Sequence, residues 1–92
     1  MYYTYVLYSL VNKRLYTGYT EDLKQRIKDH NSGHGGTYSA KNKPFMLIYY
    51  EAFLSKKDAQ GQEKFYKSGY GRGVLQNKIV NSLCDVNKYP RR

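Results

Sequence analysis

Residues 2–31, YYTYVLYSLVNKRLYTGYTEDLKQRIKDHN, decide the fold. Residues 2–10 are rich in Tyr, Val and Thr, side chains that suit a pleated strand surface. They are apolar at nearly every position instead of alternating, the pattern of a central strand covered on both faces. Asn12 and Lys13 make a turn, and residues 14–19 read as a second strand, so the segment predicts a hairpin. Gly18 marks a point where something approaches the backbone closely or where the strand bends. Thr20 stands as N-cap of a helix, with Glu21 and Asp22 suited to the positive end of its dipole. That helix is expected to end near Asn31, before the Ser32-Gly33 break. At about 100° per residue, Leu23, Ile27 and His30 share one side with Arg26 at its edge, while Lys24, Gln25, Lys28 and Asp29 point away.

The rest of the chain builds outward from this unit. Residues 33–44 (GHGGTYSAKNKP) form a Gly-rich, basic stretch without periodicity, expected to be a functional or mobile loop. Residues 45–53 (FMLIYYEAF) are a third strand, again apolar nearly throughout. Ser55 opens the capping pattern SKKD, and the helix it starts is expected to reach Ser68, with Gly69 as terminator. Ala59, Glu63 and Tyr66 share one face of that helix. After GYGRG, residues 74–83 predict a last helix with Val74, Leu75, Ile79 and Leu83 inward, and residues 87–92 a frayed basic tail. The expectation is one domain over residues 1–86, an α+β fold of order ββαβαα with a small three-stranded antiparallel sheet flanked by helices.

Composition narrows the function. A chain of 92 residues buries roughly two-thirds of its surface or less, so its core is small. Twelve tyrosines against three phenylalanines and no tryptophan bring many hydroxyls that must reach water or a partner, and several are expected to line a wet groove. Sixteen Lys and Arg against seven Asp and Glu give a net charge of +9, a field that attracts polyanions. Nucleic acid is the leading partner. No stretch combines a long apolar face with a basic one, which disfavours a membrane surface. The single cysteine, Cys84, makes no internal disulfide, and with two histidines it cannot furnish a zinc site; a reducing, cytoplasmic setting is the expectation. Residues 1–10 lack the basic start and small-residue cleavage site of a signal peptide.

Several features go beyond packing. Glu63 lies on an inward stripe, where a carboxylate calls for a cation, either a metal ion or a neighbouring Lys or Arg. Arg26 sits beside Leu23 and Ile27, able to grip phosphate with two donors or to lay its stem over the sheet. His30, one turn on, can exchange a proton near neutral pH or serve as a satisfied core residue. Tyr3, Tyr5, Tyr16 and Tyr19 crowd the hairpin. Most tyrosines are core, but a phenol beside positive charge can pass a proton at a phosphate.

Taken together, these residues resemble the GIY-YIG nuclease family. Tyr3-Thr4-Tyr5 stands at the family's first motif and keeps only its final Tyr; Tyr16-Thr17-Gly18 stands at the second and keeps the Tyr and the Gly. Residues 18–33 resemble the family's helix, with Arg26 at the arginine position and His30 at the histidine, and KKDAQGQEKFYK (56–67) resembles the helix whose glutamate falls on Glu63. The likeness runs on through KSGYGRG, typical of small stand-alone bacterial members. Gly61 departs from a good helix, costing about 1 kcal/mol against Ala, and predicts a less well-formed helix.

The resemblance implies a metal-dependent endonuclease that hydrolyses DNA phosphodiester bonds, in DNA repair or recombination. Glu63 would hold one Mg²⁺ or Mn²⁺, and Arg26 would neutralise the phosphate. Tyr5 or Tyr16 would take the proton from water with a pKa lowered by nearby positive charge, and His30 would orient a Tyr or relay the proton. Gly18 would leave room for the substrate backbone, and Lys41, Lys43, Lys67 and Arg72 would contact phosphates. The rival is a nucleic-acid-binding module without catalysis that keeps the fold; a ribosome-associated protein ranks third. Branched or nicked DNA and RNA stay open as substrates, as does a partner protein that supplies specificity.

Overall fold

Each strand of the sheet is built from β-branched and aromatic side chains, and the pairing follows from where those chains can be covered. The computed structural model describes residues 1–33 and 37–88. In chain order these form β1 (Tyr2–Ser9), β2 (Leu15–Thr20), α1 (Leu23–Ser32), α2 (Thr37–Asn42), β3 (Phe45–Phe53), α3 (Lys56–Lys67), α4 (Gly69–Lys78) and α5 (Val80–Lys88). The three strands pair antiparallel in the order β2-β1-β3, so the most apolar strand is central, as its pattern predicts.

The register divides the sheet into two faces. Tyr5 lies opposite Gly18 and Tyr50, and Leu7 opposite Tyr16 and Leu47. That face packs Tyr5, Leu7 and Phe45 against Leu23 and Ile27 of α1. On the other face Val6, Tyr66, Leu75 and Ile79 form a second cluster under α3 and α4. The expected ββαβαα order holds. A short helix, α2, occupies part of the segment expected to be a loop, and residues 34–36 of that segment lie outside those described.

Boundaries differ in instructive places. Asp22, not Thr20, caps α1, its carboxylate accepting from the Gln25 N–H at 3.1 Å. Thr20 belongs to β2, and its hydroxyl accepts from the Asp22 N–H. GYGRG is helical instead of forming a break: Ser68 caps α4 by accepting from the Gly71 N–H at 3.1 Å. Gly71 is required there because a Cβ would stand 1.7 Å from the Phe65 carbonyl oxygen, where α3 and α4 meet. Gly61 lies in open space and α3 runs unbroken through it, so the expected weakness of that helix is absent from its geometry. The expected tail starts within α5, at Asn87 and Lys88, and residues 89–92 lie outside those described.

Two polar ties fix the helices that carry the candidate residues. The buried Thr4 hydroxyl donates to the Ala59 carbonyl of α3 at 2.6 Å. At the end of α1, the Asn31 side chain accepts from the Phe45 N–H at 2.6 Å and donates to the Phe45 carbonyl at 3.2 Å. The amide thereby mimics a strand residue and sets where His30, its neighbour, enters.

Candidate active site

The centre of the site is the hydroxyl of Tyr5. Its strand is central, so its ring is only 5% exposed, and it extends over Gly18 of β2. A Cβ on Gly18 would stand 2.3 Å from that hydroxyl oxygen. The close approach expected at Gly18 is therefore the phenol of Tyr5, which corrects the assignment of that space to the substrate backbone.

His30 comes from the last turn of α1, and its Nε2 is 3.1 Å from the Tyr5 oxygen. The rings meet edge-on at 6.0 Å, and Phe45 lies against the imidazole at 5.5 Å. Burial, then the charge of Arg26, hold the His30 pKa below its ordinary value, with Asp29 opposing. Both effects favour the neutral imidazole over the charged form.

Arg26 and Glu63 both act electrostatically on Tyr5. Burial pushes the Tyr5 pKa up, Arg26 draws it down, and Glu63 pushes it up again. The net direction is upward, which corrects the expected lowering: removing the phenol from water outweighs one guanidinium. Arg26 is half-buried on α1, at the edge of the stripe that carries Leu23 and Ile27. Glu63 sits on α3 between buried Ala59 and Tyr66, yet at the margin, where its carboxylate pairs with Lys67 at 2.9 Å. The inward stripe thus brings a carboxylate to the site, and a lysine meets it.

The remaining tyrosines divide. Tyr16 shares the face of Tyr5 but stands one register pair away, opposite Leu7, and its hydroxyl accepts from Asn12 Nδ2 at 2.6 Å. Asn12 also donates to Asn42 at 3.0 Å, so Tyr16 belongs to the network at the hairpin turn. Tyr3 packs edge-on against Tyr50 at 5.9 Å, and Tyr19 stacks on Tyr2 at 6.5 Å. Neither shares the bond between Tyr5 and His30.

Of the expected phosphate contacts, Lys41 and Lys43 stand exposed where α2 gives way to β3. Lys67 and Arg72 instead line a cleft of about 890 Å³ beside β2, together with Lys13 and Arg14 of the hairpin. These two hairpin cations escaped sequence reading, because nothing in a turn's composition says which way it faces. Also unforeseen is the role of Glu51, a carboxylate in an otherwise apolar strand. It accepts from Tyr49, from Tyr66 at 2.6 Å, from Gln62 at 2.9 Å and from Lys78 at 3.2 Å. Burial pushes its carboxyl up, but these four donors outweigh that and hold it below the ordinary range. Burial and the bond to Glu51 raise the Tyr66 pKa to about 12. A charged residue inside the run FMLIYYEAF was the available signal.

Residues 1–78 match the GIY-YIG catalytic domain. The chain belongs to the GIY-YIG family. Relatives of this GIY-YIG domain include a UPF0213 protein of Streptococcus pyogenes serotype M3, 49% identical over 65 residues, covering 71% of this chain and 70% of that protein. A UPF0213 protein encoded in the ldhD 5′ region of Pediococcus acidilactici is 47% identical over 68 residues, covering 72% of this chain and 68% of that one. The solution NMR structure of a UPF0213 protein from Bacillus halodurans superposes with a TM-score of 0.52 at 38% identity, covering 84% of each chain. The family is one of nucleases, and its domain implies a nucleic-acid substrate.

The donor set of this GIY-YIG domain bears on a metal ion. Among the described residues no group of three or more His, Cys, Asp and Glu could hold one. Glu63 is a single hard oxygen donor, 23% exposed, so water can supply the other ligands. That fits a largely hydrated Mg²⁺ or Mn²⁺ and does not fit a tightly caged Zn²⁺. Among the described residues no helix is long and apolar enough to cross a membrane.

Proposed function

We propose that this domain is a metal-dependent endonuclease that hydrolyses DNA phosphodiester bonds and serves DNA repair or recombination. The observation that carries the reading is the convergence on one hydroxyl: Tyr5 is bonded to His30 and feels the charges of both Arg26 and Glu63. Packing alone gives no reason to gather a base, a cation and an anion around a buried phenol.

Glu63 would hold a divalent ion, whose chemistry there is to polarise the phosphate and stabilise the leaving 3′ oxygen. The protein's own groups do the rest. Arg26 binds the non-bridging oxygens and offsets the charge that grows as water attacks phosphorus. Tyr5 accepts a proton from the attacking water while its own proton passes to Nε2 of neutral His30. A raised phenol pKa makes that hand-over necessary, because Tyr5 does not stand ready as phenolate. Tyr16, tied to Asn12, is the second candidate for the base.

The pair between Glu63 and Lys67 favours a second reading, a nucleic-acid-binding module without catalysis, because the carboxylate already has a cation. Nicking of supercoiled plasmid with and without Mn²⁺, by the parent and by Glu63→Gln, separates the two. The nuclease reading expects nicking by the parent alone and only with metal. Absence of nicking with any divalent ion, while DNA binding persists, would select the binding module.

A further inference from the structure

Two adjacent strands tie down the helix that carries Glu63. Thr4 of β1 and Glu51 of β3 are partners in the register, and both reach α3. The Thr4 hydroxyl donates to the Ala59 carbonyl at 2.6 Å. Glu51 accepts from the Gln62 amide at 2.9 Å and from the Tyr66 hydroxyl at 2.6 Å, while the same amide donates to Tyr66 at 2.9 Å. Tyr49 of β3 and Lys78 of α4 complete its four donors. At about 100° per residue, the buried Ala59 and Tyr66 form the inward stripe of α3, with Gln62 on one flank and Glu63 on the other. One flank is thus held by β3, and the other carries the carboxylate whose charge reaches Tyr5.

We propose that Glu51 is a positioning residue: through Gln62 and Tyr66 it sets the roll of α3, and so the place of Glu63 beside the phenol of Tyr5. Its consequence for a metal ion at Glu63 rests on the nuclease reading, whereas the roll of α3 does not. Thr4 bonds a backbone carbonyl close to the helix axis, which holds α3 along its length and resists rolling little. Glu51 grips side chains away from the axis, where a bond opposes rolling directly. Side-chain tips lie about 5–6 Å from a helix axis, so a roll of about 10° carries Glu63 by about 1 Å. A misplacement of that size can slow a catalysed step about 10²-fold. Packing alone gives little reason for a carboxylate at this place, because an apolar side chain would avoid the cost of removing a charge from water. Directional bonds to four donors supply what an apolar side chain could not, a fixed orientation.

The test uses three variants of the whole chain. Glu51→Gln keeps the size of the side chain but sets an NH₂ group among donors. Gln62→Met removes one tie and leaves Glu51 its other donors, so it serves even where the first variant folds poorly. Val86→Ala opens a cavity on α5, outside the cluster that holds Tyr66, and controls for lost stability. Each is compared with the parent at a temperature where melting curves show it folded. Residual dipolar couplings of the backbone N–H groups report how α3 sits on the sheet, and isothermal titration reports Mn²⁺ affinity. In Glu51→Gln the α3 couplings are expected to leave the parental orientation while those of β1 and α1 keep it, and Mn²⁺ affinity is expected to fall about 10–100-fold. Gln62→Met is expected to move both in the same direction and less far, and Val86→Ala to move neither. Parental α3 couplings in both network variants, or parental Mn²⁺ affinity beside altered couplings, would overturn the proposal. Equal changes in Val86→Ala would overturn it in favour of lost stability. A parent that binds no Mn²⁺ would reject the metal reading, and the couplings alone would then retain or reject the role of Glu51.

Discussion

Lys67 Nζ lies 2.9 Å from Glu63 Oε2, one turn further along α3. Both are partly exposed, so the bond is weak by itself, about 0–1 kcal/mol, but it occupies the atom proposed to receive a dication. Lysine and metal ion compete for Glu63. Lys67→Gln is therefore expected to raise Mn²⁺ affinity up to about fivefold, as isothermal titration would show. Glu63→Gln is expected to abolish Mn²⁺ binding and cleavage with little change in melting temperature. A marked fall in melting temperature would show that the pair serves the fold.

Tyr5→Phe removes only the hydroxyl that contacts His30. Single-turnover cleavage is expected to slow by roughly 10²–10⁴-fold with DNA affinity retained. Tyr16→Phe, whose hydroxyl faces Asn12, is expected to slow it less. A larger loss in the Tyr16 variant would move the base to that residue.

Gly18→Ala places a methyl group where the Tyr5 hydroxyl stands. The displaced ring is buried and cannot swing into water, so overpacking is expected to cost about 1–3 kcal/mol. Cleavage should fall about as far as in Tyr5→Phe. Calorimetry and plasmid nicking on one preparation test both, and a variant with parental melting and rate would refute this account of Gly18.

Stability should depend on pH in two stages. The His30 pKa is lowered from its ordinary 6.5, so the unfolded chain binds its proton first and stability falls as pH drops below 6.5. Glu51 is lowered from 4.5, so the stability from its four donors is present above 4.5 and lost below it. Glu51→Gln is expected to cost about 1–3 kcal/mol at neutral pH and to flatten the lower stage. Urea melts across pH measure this, and an unchanged acid limb would remove Glu51 from the account.

The bounds of the third strand could be read from the sequence, because Pro44 and Ser55 flank a run that is apolar but for Glu51, although as an edge strand it is mostly half-buried and not covered on both faces. Where the sequence misled, a single tertiary contact won. Glycine's weak helix propensity argued against a helix through GYGRG, but Gly71 is there to let Phe65 pass closely. α2 was hidden by the glycines before it and by its six-residue length. Arg26, His30 and Glu63 could be named because each stood on or beside a legible helix stripe, whereas Tyr5 was separated from the other hairpin tyrosines only by its place in the family's first motif. The separation of Tyr16 from Tyr5 could not be read, since it depends on which hydroxyl the Asn12 amide reaches. Likewise Glu51 gains meaning only when β3, α3 and α4 supply its donors together.

The strand order β2-β1-β3 also sets a sequence in time. The hairpin of β1 and β2 closes through a short turn, so it can form early, whereas β3 must return across α1 and α2 to pair with the other edge of β1. Until it does, β1 exposes an apolar, unpaired edge, the kind of surface on which growing chains associate. His30 is set in place through the bonds of Asn31 to Phe45 and so meets Tyr5 only when β3 has joined, and Glu63 arrives later still, with α3. A chain still being made would hold the proton-transfer pair before it holds the carboxylate, and so would acquire its proposed cutting activity last.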